Sequence, residues 1–246
     1  MVDAPQVQYR QELISEFEYG MSQLRQTTVT EAVVKGNQAT FLVAGSGGAA
    51  AVTRGVNGLI PARNDSNAQT TITLVEWHDL ARKTRFNIFA SQGDQRSLMQ
   101  QTTRIVLNRR LDQDIIDALD GATLNLGAAT TISLAAVAKA KVTLGENFVD
   151  TTDVENMFAV ATPAVEGYLM QLDEFNSADY VDMKYLTGPT RRTLRWAGFN
   201  WIFHPLLTGM GSASEKCYFF HRNSIGSVFD SGEGLNTDPM ELRWKK

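Results

Sequence analysis

From Thr27 to Ser91 the chain alternates β-branched and polar residues around scattered glycines, and from Asp94 it changes to one long amphipathic helical pattern that ends near Gly121. A long two-sided ribbon cannot bury itself, because both faces of a two-stranded sheet stay in water unless another surface covers them. The covering surface most readily at hand is a second copy of the same chain.

The ribbon reads in pieces. Val29 to Val43 has strand propensity and is split by Lys35-Gly36-Asn37, a sequence suited to a tight hairpin turn. Gly45 to Ala51 is small-residue coil, and Arg54 to Ala62 carries two glycines and a proline that no regular element tolerates well. Thr70 to Leu74 returns to β-branched alternation, and Val75 to Phe89 mixes a further strand pattern with Trp77. Ahead of the ribbon, Tyr9, Leu13, Phe17, Met21 and Leu24 form a weak helical stripe, which reads as an N-terminal arm with a helix.

The helical pattern has a good start, since Asp94 can cap free amides at the positive end of the helix dipole. Leu98, Thr102, Ile105, Arg109 or Leu111, Ile115 and Leu119 keep one face apolar or neutral, and Gly121 supplies the stop. Arg104, Arg109, Arg110, Asp112, Asp114 and Asp117 are assigned to the opposite, charged side. Such a helix is about 40 Å long, the backbone of a flat or elongated body rather than one rod of a bundle.

Beyond it, Ile132 to Leu144 predicts an alanine-rich helix capped by Ser133 or Thr131, and Met157 to Thr162 a short buried strand. Pro163 suits the first turn of a helix running to about Leu172, where its missing amide hydrogen is not needed. Ala178 to Leu186 reads as helix, and Thr193 to Phe203, Lys216 to His221 and Ile225 to Phe229 as strands. The class is α+β. No internal repeat is visible.

Composition narrows the function. A hydrophobic content of 43% with 20% charged residues places the chain among ordinary globular proteins rather than disordered ones. The formal charge of -4 gives no electrostatic reason for tight nucleic-acid binding, and the basic pieces Arg82-Lys83-Thr84-Arg85, Arg109-Arg110 and Arg191-Arg192 are small enough to be solvated faces. One cysteine, Cys217, excludes an internal disulfide and a thiolate cluster, and its neighbours Tyr218, Phe219 and Phe220 suggest a buried, inert thiol. No apolar run approaches a membrane span and no signal-peptide core opens the chain, so a soluble intracellular protein is expected.

Catalytic patterns are weak. Gly45-Ser46-Gly47-Gly48-Ala49-Ala50 fits the G-x-G-x-x-A form of a dinucleotide fingerprint, with Asp65 at about the ribose distance. That fingerprint requires a helix to follow, and Val52-Thr53-Arg54-Gly55-Val56-Asn57-Gly58 with Pro61 forbids one. His78, His204 and His221 are isolated beside Trp77, Phe203 and Phe220, without metal-ligand spacing, and read as packed strand or loop residues. Asp173-Glu174 is a carboxylate pair without a pocket, and Trp196, Phe199, Trp201 and Phe203 alternate along one strand as core. No catalytic, cofactor-binding or metal residues are therefore assigned, and no enzyme activity is expected.

The order of pieces resembles the HK97-fold major capsid proteins of tailed bacteriophages over most of the chain. The resemblance is carried by Phe158-Ala159-Val160-Ala161-Thr162-Pro163 leading into a helix, by Trp196-Ala197-Gly198-Phe199-Asn200-Trp201-Ile202, and by Cys217-Tyr218-Phe219-Phe220-His221. It implies an HK97-like α+β fold with an N-terminal arm (1–26), an extended β-hairpin E-loop with flanking strands (27–93), a spine helix of the peripheral domain (94–122), a mixed α/β axial domain (123–230) and a C-terminal return (231–246). The implied function is self-assembly into hexamers and pentamers of an icosahedral shell around double-stranded DNA, bound without sequence preference. Scaffolding, cement and portal proteins are the implied further partners, with the virion as location, assembly in the host cytoplasm and no membrane. Some relatives cross-link a lysine to an asparagine, and Lys35 lies in the loop. The chain departs from the pattern after Glu241-Leu242-Arg243-Trp244, where relatives continue into further strands, and it shows no scaffolding-type N-terminal segment, so a cleaved precursor is not expected. An encapsulin-like compartment shares the same resemblance, and a dinucleotide-binding enzyme using Gly45 to Ala50 is the alternative of another class.

Overall fold

The structure is a computed structural model that describes residues 20–31, 38–46, 49–58, 60, 62–63, 66–86, 95–176 and 194–228. The expected Lys35-Gly36-Asn37 turn, the Asp94 cap, Asp65, most of the N-terminal stripe, the Ala178 to Leu186 helix and the C-terminal return lie outside the described residues.

A four-stranded mixed sheet forms the centre, in the order β5-β6-β4-β7. Its strands are β4 (Met157–Ala161), β5 (Leu194–Trp196), β6 (Phe199–Phe203) and β7 (Tyr218–His221). β4 runs parallel to β6 and antiparallel to β7, pairing Ala159 with Trp201 on one side and with Phe219 on the other. All five β4 residues are buried, as an unbroken apolar strand covered on both faces must be.

The strand period of two then sorts the core into two layers. Met157, Ala159, Ala161, Phe199 and Trp201 face one way, against Val137 of α2 (Leu134–Glu146) and Val165 and Leu169 of α3 (Pro163–Leu169). Phe158, Val160, Ile202 and Phe220 face the other way, against Ile115, Ile116 and Leu119 of α1 (Gln95–Asp120) and Leu24 of the arm. Aromatic edges lock the first layer: Phe199 meets Phe219 at 5.2 Å, Trp201 meets Phe219 at 5.7 Å, and Phe175 meets Trp196 at 5.2 Å between ring centroids. Phe175 comes from the short helix α4 (Asp173–Asn176).

The helix signals acted locally. Ser133 accepts the Ala136 amide at the start of α2, and Thr162 accepts the Val165 amide at the start of α3, whose first residue is Pro163. The helix expected to run on to about Leu172 stops at Leu169, and α4 follows as a separate turn.

Four further expectations are corrected. Thr193 to Phe203 is two strands rather than one, because Ala197 (φ 53°) and Gly198 (φ 85°) make a two-residue turn that pairs Trp196 with Phe199. The aromatic alternation of Trp196, Phe199, Trp201 and Phe203 therefore spans a hairpin. The strand ahead of Lys35 does not pair with the strand after it: β1 (Val29–Glu31) lies parallel to β8 (Gly226–Val228), while β2 (Gln38–Gly45) pairs antiparallel with β3 (Ser66–Thr73) over eight residues. Hydroxyls explain the first pairing, since Thr28 and Thr30 both meet Ser227, at 2.7 and 3.2 Å. Leu74 to Arg82 carries no strand, since these residues have no ladder partner among the described residues.

The fourth correction concerns α1. Its 26 residues span about 39 Å. Ile105, Asp112, Ile115, Ile116 and Leu119 are its buried residues toward the body, whereas Thr102 is exposed. The buried stripe thus passes through Asp112, not through Arg109 or Leu111, and a residue assigned to the charged outer face is fully enclosed.

Candidate functional site

The ribbon of β2 and β3 leaves the body with both faces open. Ala39, Phe41 and Val43 share one face with Ile72, Thr70 and Ala68; Thr40, Leu42 and Ala44 share the other with Thr71, Gln69 and Asn67. Leu42 is 73% exposed and Val43 58% exposed, on opposite faces. Eight residues of antiparallel strand reach about 27 Å. Apolar exposure continues beyond the paired strands through Val52, Val56 and Ile60 in the connection between them and Val75, Trp77, Leu80 and Phe86 after them. Burying side chains of this size stabilises an interface by about 1.5–3 kcal/mol each, so the surface is adhesive although no single contact need be strong.

The base of the ribbon is held, which fixes its direction. Phe41 lies on Gly226 of β8 so closely that a Cβ at 226 would come within 2.8 Å of the ring. Only glycine gives the ring this seat. On the return, the Arg110 guanidinium stacks over Trp77 at 3.9 Å from the ring centroid and pairs with Asp114 at 2.6 Å. Lys83 donates to the side chain of Gln95 at the start of α1. Both tethers bind the segment that follows β3 to the long helix.

Asp112 joins three parts of the chain at the foot of this assembly. Its carboxylate accepts the Ser22 hydroxyl and the amides of Gln23 and Leu24, each amide at 3.2 Å, and His204 donates from Nε2 at 3.1 Å. His204 Nδ1 accepts the Leu206 amide at 3.2 Å, so the ring proton lies on Nε2, where Asp112 needs it. One turn earlier Asn108 donates to the Gly20 carbonyl at 2.8 Å. Burial raises the pKa of Asp112, but the bonds from His204, Ser22, Gln23 and Leu24 outweigh it and hold the pKa below the usual carboxylate value.

A second carboxylate, Asp120, ends α1 and gathers the loop between β6 and β7. It accepts from Thr208, from Lys216 at 2.6 Å and from Tyr218 at 2.6 Å. Burial opposes its ionisation; the bonds from Lys216, Thr208 and Tyr218 win and bring its pKa to about 2. Burial, with Asp120 alongside, pushes the Tyr218 phenol upward. Glu215 accepts from Thr162 and from the Gly211 amide, closing the same loop against α3.

These groups are structural joints. After Ser46 the described chain is coil through Gly55 and then a turn, so no helix follows the glycine-rich stretch to face a pyrophosphate; Gly47, Gly48 and Asp65 lie outside the described residues. The histidines are dispersed: His78 sits exposed beside Glu76 at 3.4 Å, His204 is in the Asp112 joint, and His221 accepts the Asn223 amide with Asp153 3.7 Å away. Burial lifts the Cys217 thiol to about 11, where thiolate is scarce at neutral pH. Among the described residues no group of three or more His, Cys, Asp or Glu is placed to hold a metal, and no helix is long and apolar enough to cross a membrane. Of the Asp173-Glu174 pair, Asp173 is exposed at the start of α4.

Sequence reasoning missed the Asp112 joint. The signal was available in the helical phase: stepping from Ile105 through Asn108 to Asp112, Ile115 and Leu119 keeps spacings of three and four and passes through the carboxylate.

No curated protein matches the chain at the sequence level. Solved structures match its fold. A structure from Mycobacterium phage Che8 superposes with a TM-score of 0.72 at 16% identity, covering 93% of this chain and 84% of the other. The mature capsid of bacteriophage PhiM1 gives 0.60 at 13% identity, covering 93% and 81%, and the capsid of cyanophage P-SCSP1u gives 0.55 at 15%, covering 92% and 80%. The family profile described as phage capsid protein matches residues 2–233, nearly the whole chain, and the chain therefore belongs to the phage capsid protein family, whose members are structural parts of a virion rather than enzymes.

Proposed function

We propose that the chain is a major capsid protein of the HK97 type, which self-assembles into a closed icosahedral shell around double-stranded phage DNA. In this reading the β2–β3 ribbon with its flanking segments (27–93) is the extended E-loop reaching over a neighbour, and the segment 94–122, which contains α1, is the spine helix of the peripheral domain. Residues 123–230, centred on the four-stranded sheet, are the axial domain around the fivefold and sixfold positions, preceded by the arm (1–26) and followed by a return to the peripheral domain (231–246).

One observation carries the reading: a ribbon of eight residue pairs with exposed apolar side chains on both faces, fixed rigidly at its base. A monomer gains nothing from such a structure. Closed symmetric assembly gives each face a neighbour, and many modest contacts add to a stable wall. The formal charge of -4 suits a wall that encloses DNA with its counterions and holds it weakly. Hexamers and pentamers are the assembling units; scaffolding, cement and portal proteins are the further partners, and assembly takes place in the host cytoplasm.

The test is negative-stain imaging of the purified chain, with nuclease-protected nucleic acid assayed in particles from infected cells. Closed shells holding DNA support the reading. Monodisperse monomers at high concentration, or shells holding an enzyme, would overturn it.

A further inference from the structure

A groove of about 710 Å³ opens between arm residues 21–26 and the end of the central sheet. Exposed Met21 and half-buried Phe203 give it apolar walls, Gln23 and Gln26 line one side, and Glu155 and Glu166 bring carboxylates. Its charges are unevenly satisfied. Glu155 has Arg195 at 3.7 Å, and Arg222, the groove's basic residue, donates through Nε to the Thr28 carbonyl at 3.3 Å. Glu166 is half-buried, and its carboxylate has no ion pair and accepts no hydrogen bond among the described residues. Burial with no compensating donor raises its pKa. A carboxylate held this way is stabilised by any cation brought to it from outside.

The ribbon tip carries the complement. Arg54 is exposed and without a partner among the described residues, so it does not reach its own groove. It stands between Val52 and Val56, both exposed, and the Gly58 amide donates to the Gly55 carbonyl at 2.8 Å in a turn that fixes Val56 beside it. An arginine flanked by two bare valines matches, in charge and in apolar character, a groove whose Glu166 carboxylate has no partner among the described residues and whose walls are Met21 and Phe203.

We propose that the ribbon tip of a neighbouring copy seats in this groove, with the Arg54 guanidinium paired to Glu166 and the two valines against Met21 and Phe203. The proposal rests on the shell-subunit reading and adds to it a defined seat and a charge pair that sets the register between copies.

The test is a charge swap read by light scattering of assembly, with thermal melting of the unassembled subunit as the fold control. Arg54→Glu and Glu166→Arg each lower assembly by about tenfold or more, and the double variant recovers to within about threefold of the parent. Glu166→Gln, which keeps the side-chain shape, weakens assembly in the same direction. On assembly, hydrogen exchange at residues 49–58 slows in the parent and in the double variant. Singles that assemble like the parent overturn the proposal while leaving the shell reading intact. Impaired singles that the double does not rescue, with every variant melting like the parent, also overturn it and assign the groove another occupant. A parent that never assembles removes the shell reading and this seat with it.

Discussion

Replacing Asp112 with alanine removes the acceptor at which the arm, α1 and the central sheet meet, and the structure sets the size of the loss. Four donors lose their partner: the Ser22 hydroxyl, the Gln23 and Leu24 amides and His204 Nε2–H. Ser22 and Gln23 are half-buried and can turn to water, whereas Leu24 and His204 are fully enclosed and cannot. Two orphaned buried donors cost about 1–3 kcal/mol each, and the two lost charge-assisted bonds at the rim add a smaller amount, giving about 3–5 kcal/mol. Asp112→Asn keeps one acceptor oxygen and turns the other into a donor facing donors, so about 2 kcal/mol is expected. Urea unfolding of the unassembled subunit, followed by tryptophan fluorescence, measures both. Hydrogen exchange adds a local readout, in which the Gln23 and Leu24 amides lose protection in the alanine variant before the sheet does. A loss below about 1 kcal/mol, or unchanged exchange at those amides, would refute the claim that Asp112 anchors the arm.

Three further outcomes are expected. Ala197→Asn stabilises the subunit by about 0.5–1 kcal/mol in the same unfolding assay, because a φ of 53° strains alanine and suits asparagine. Asp120, with a folded pKa near 2 against an ordinary value of 3.8, contributes stability that is fully present above pH 4 and lost as pH falls toward 2. After solvent screening this amounts to about 1–2 kcal/mol, so the acid limb of Asp120→Asn is flatter in a pH titration of stability, while the limb due to Asp112, shifted in the same direction, persists. Leu42→Lys on the outer ribbon face changes subunit stability by less than about 0.5 kcal/mol yet lowers assembly about tenfold in light scattering, since its side chain is free in the subunit and covered only in a shell.

The central body was legible because each of its signals is local. The apolar run at Met157–Ala161, Pro163 in a first helical turn, and Ser133 ahead of the alanine-rich helix each mark an element through neighbouring residues, and each element starts close to where it was expected. The ribbon was legible as a ribbon because period-two alternation without a continuous apolar face survives any pairing. Its partners were not. Whether β2 pairs across Lys35-Gly36-Asn37 or across the twenty residues between Gly45 and Ser66 depends on contacts far apart in sequence, and Phe41 on Gly226 is one of these. The Ala197-Gly198 turn was hidden because alanine rarely takes a positive φ. Asp112 was hidden because its charge argued for solvent, while four donors, three of them from residues 22–24, made burial tenable.

Comparing amide hydrogen exchange of the ribbon in the free subunit and in assembled particles tests most directly the claim that this surface exists to be covered by sister copies. Slowed exchange across Gln38–Gly45 and Ser66–Thr73 on assembly, with the β4–β6 core unchanged, is the predicted result. Equal exchange of those strands in both states would contradict it, because the ribbon would then remain in water in the finished particle.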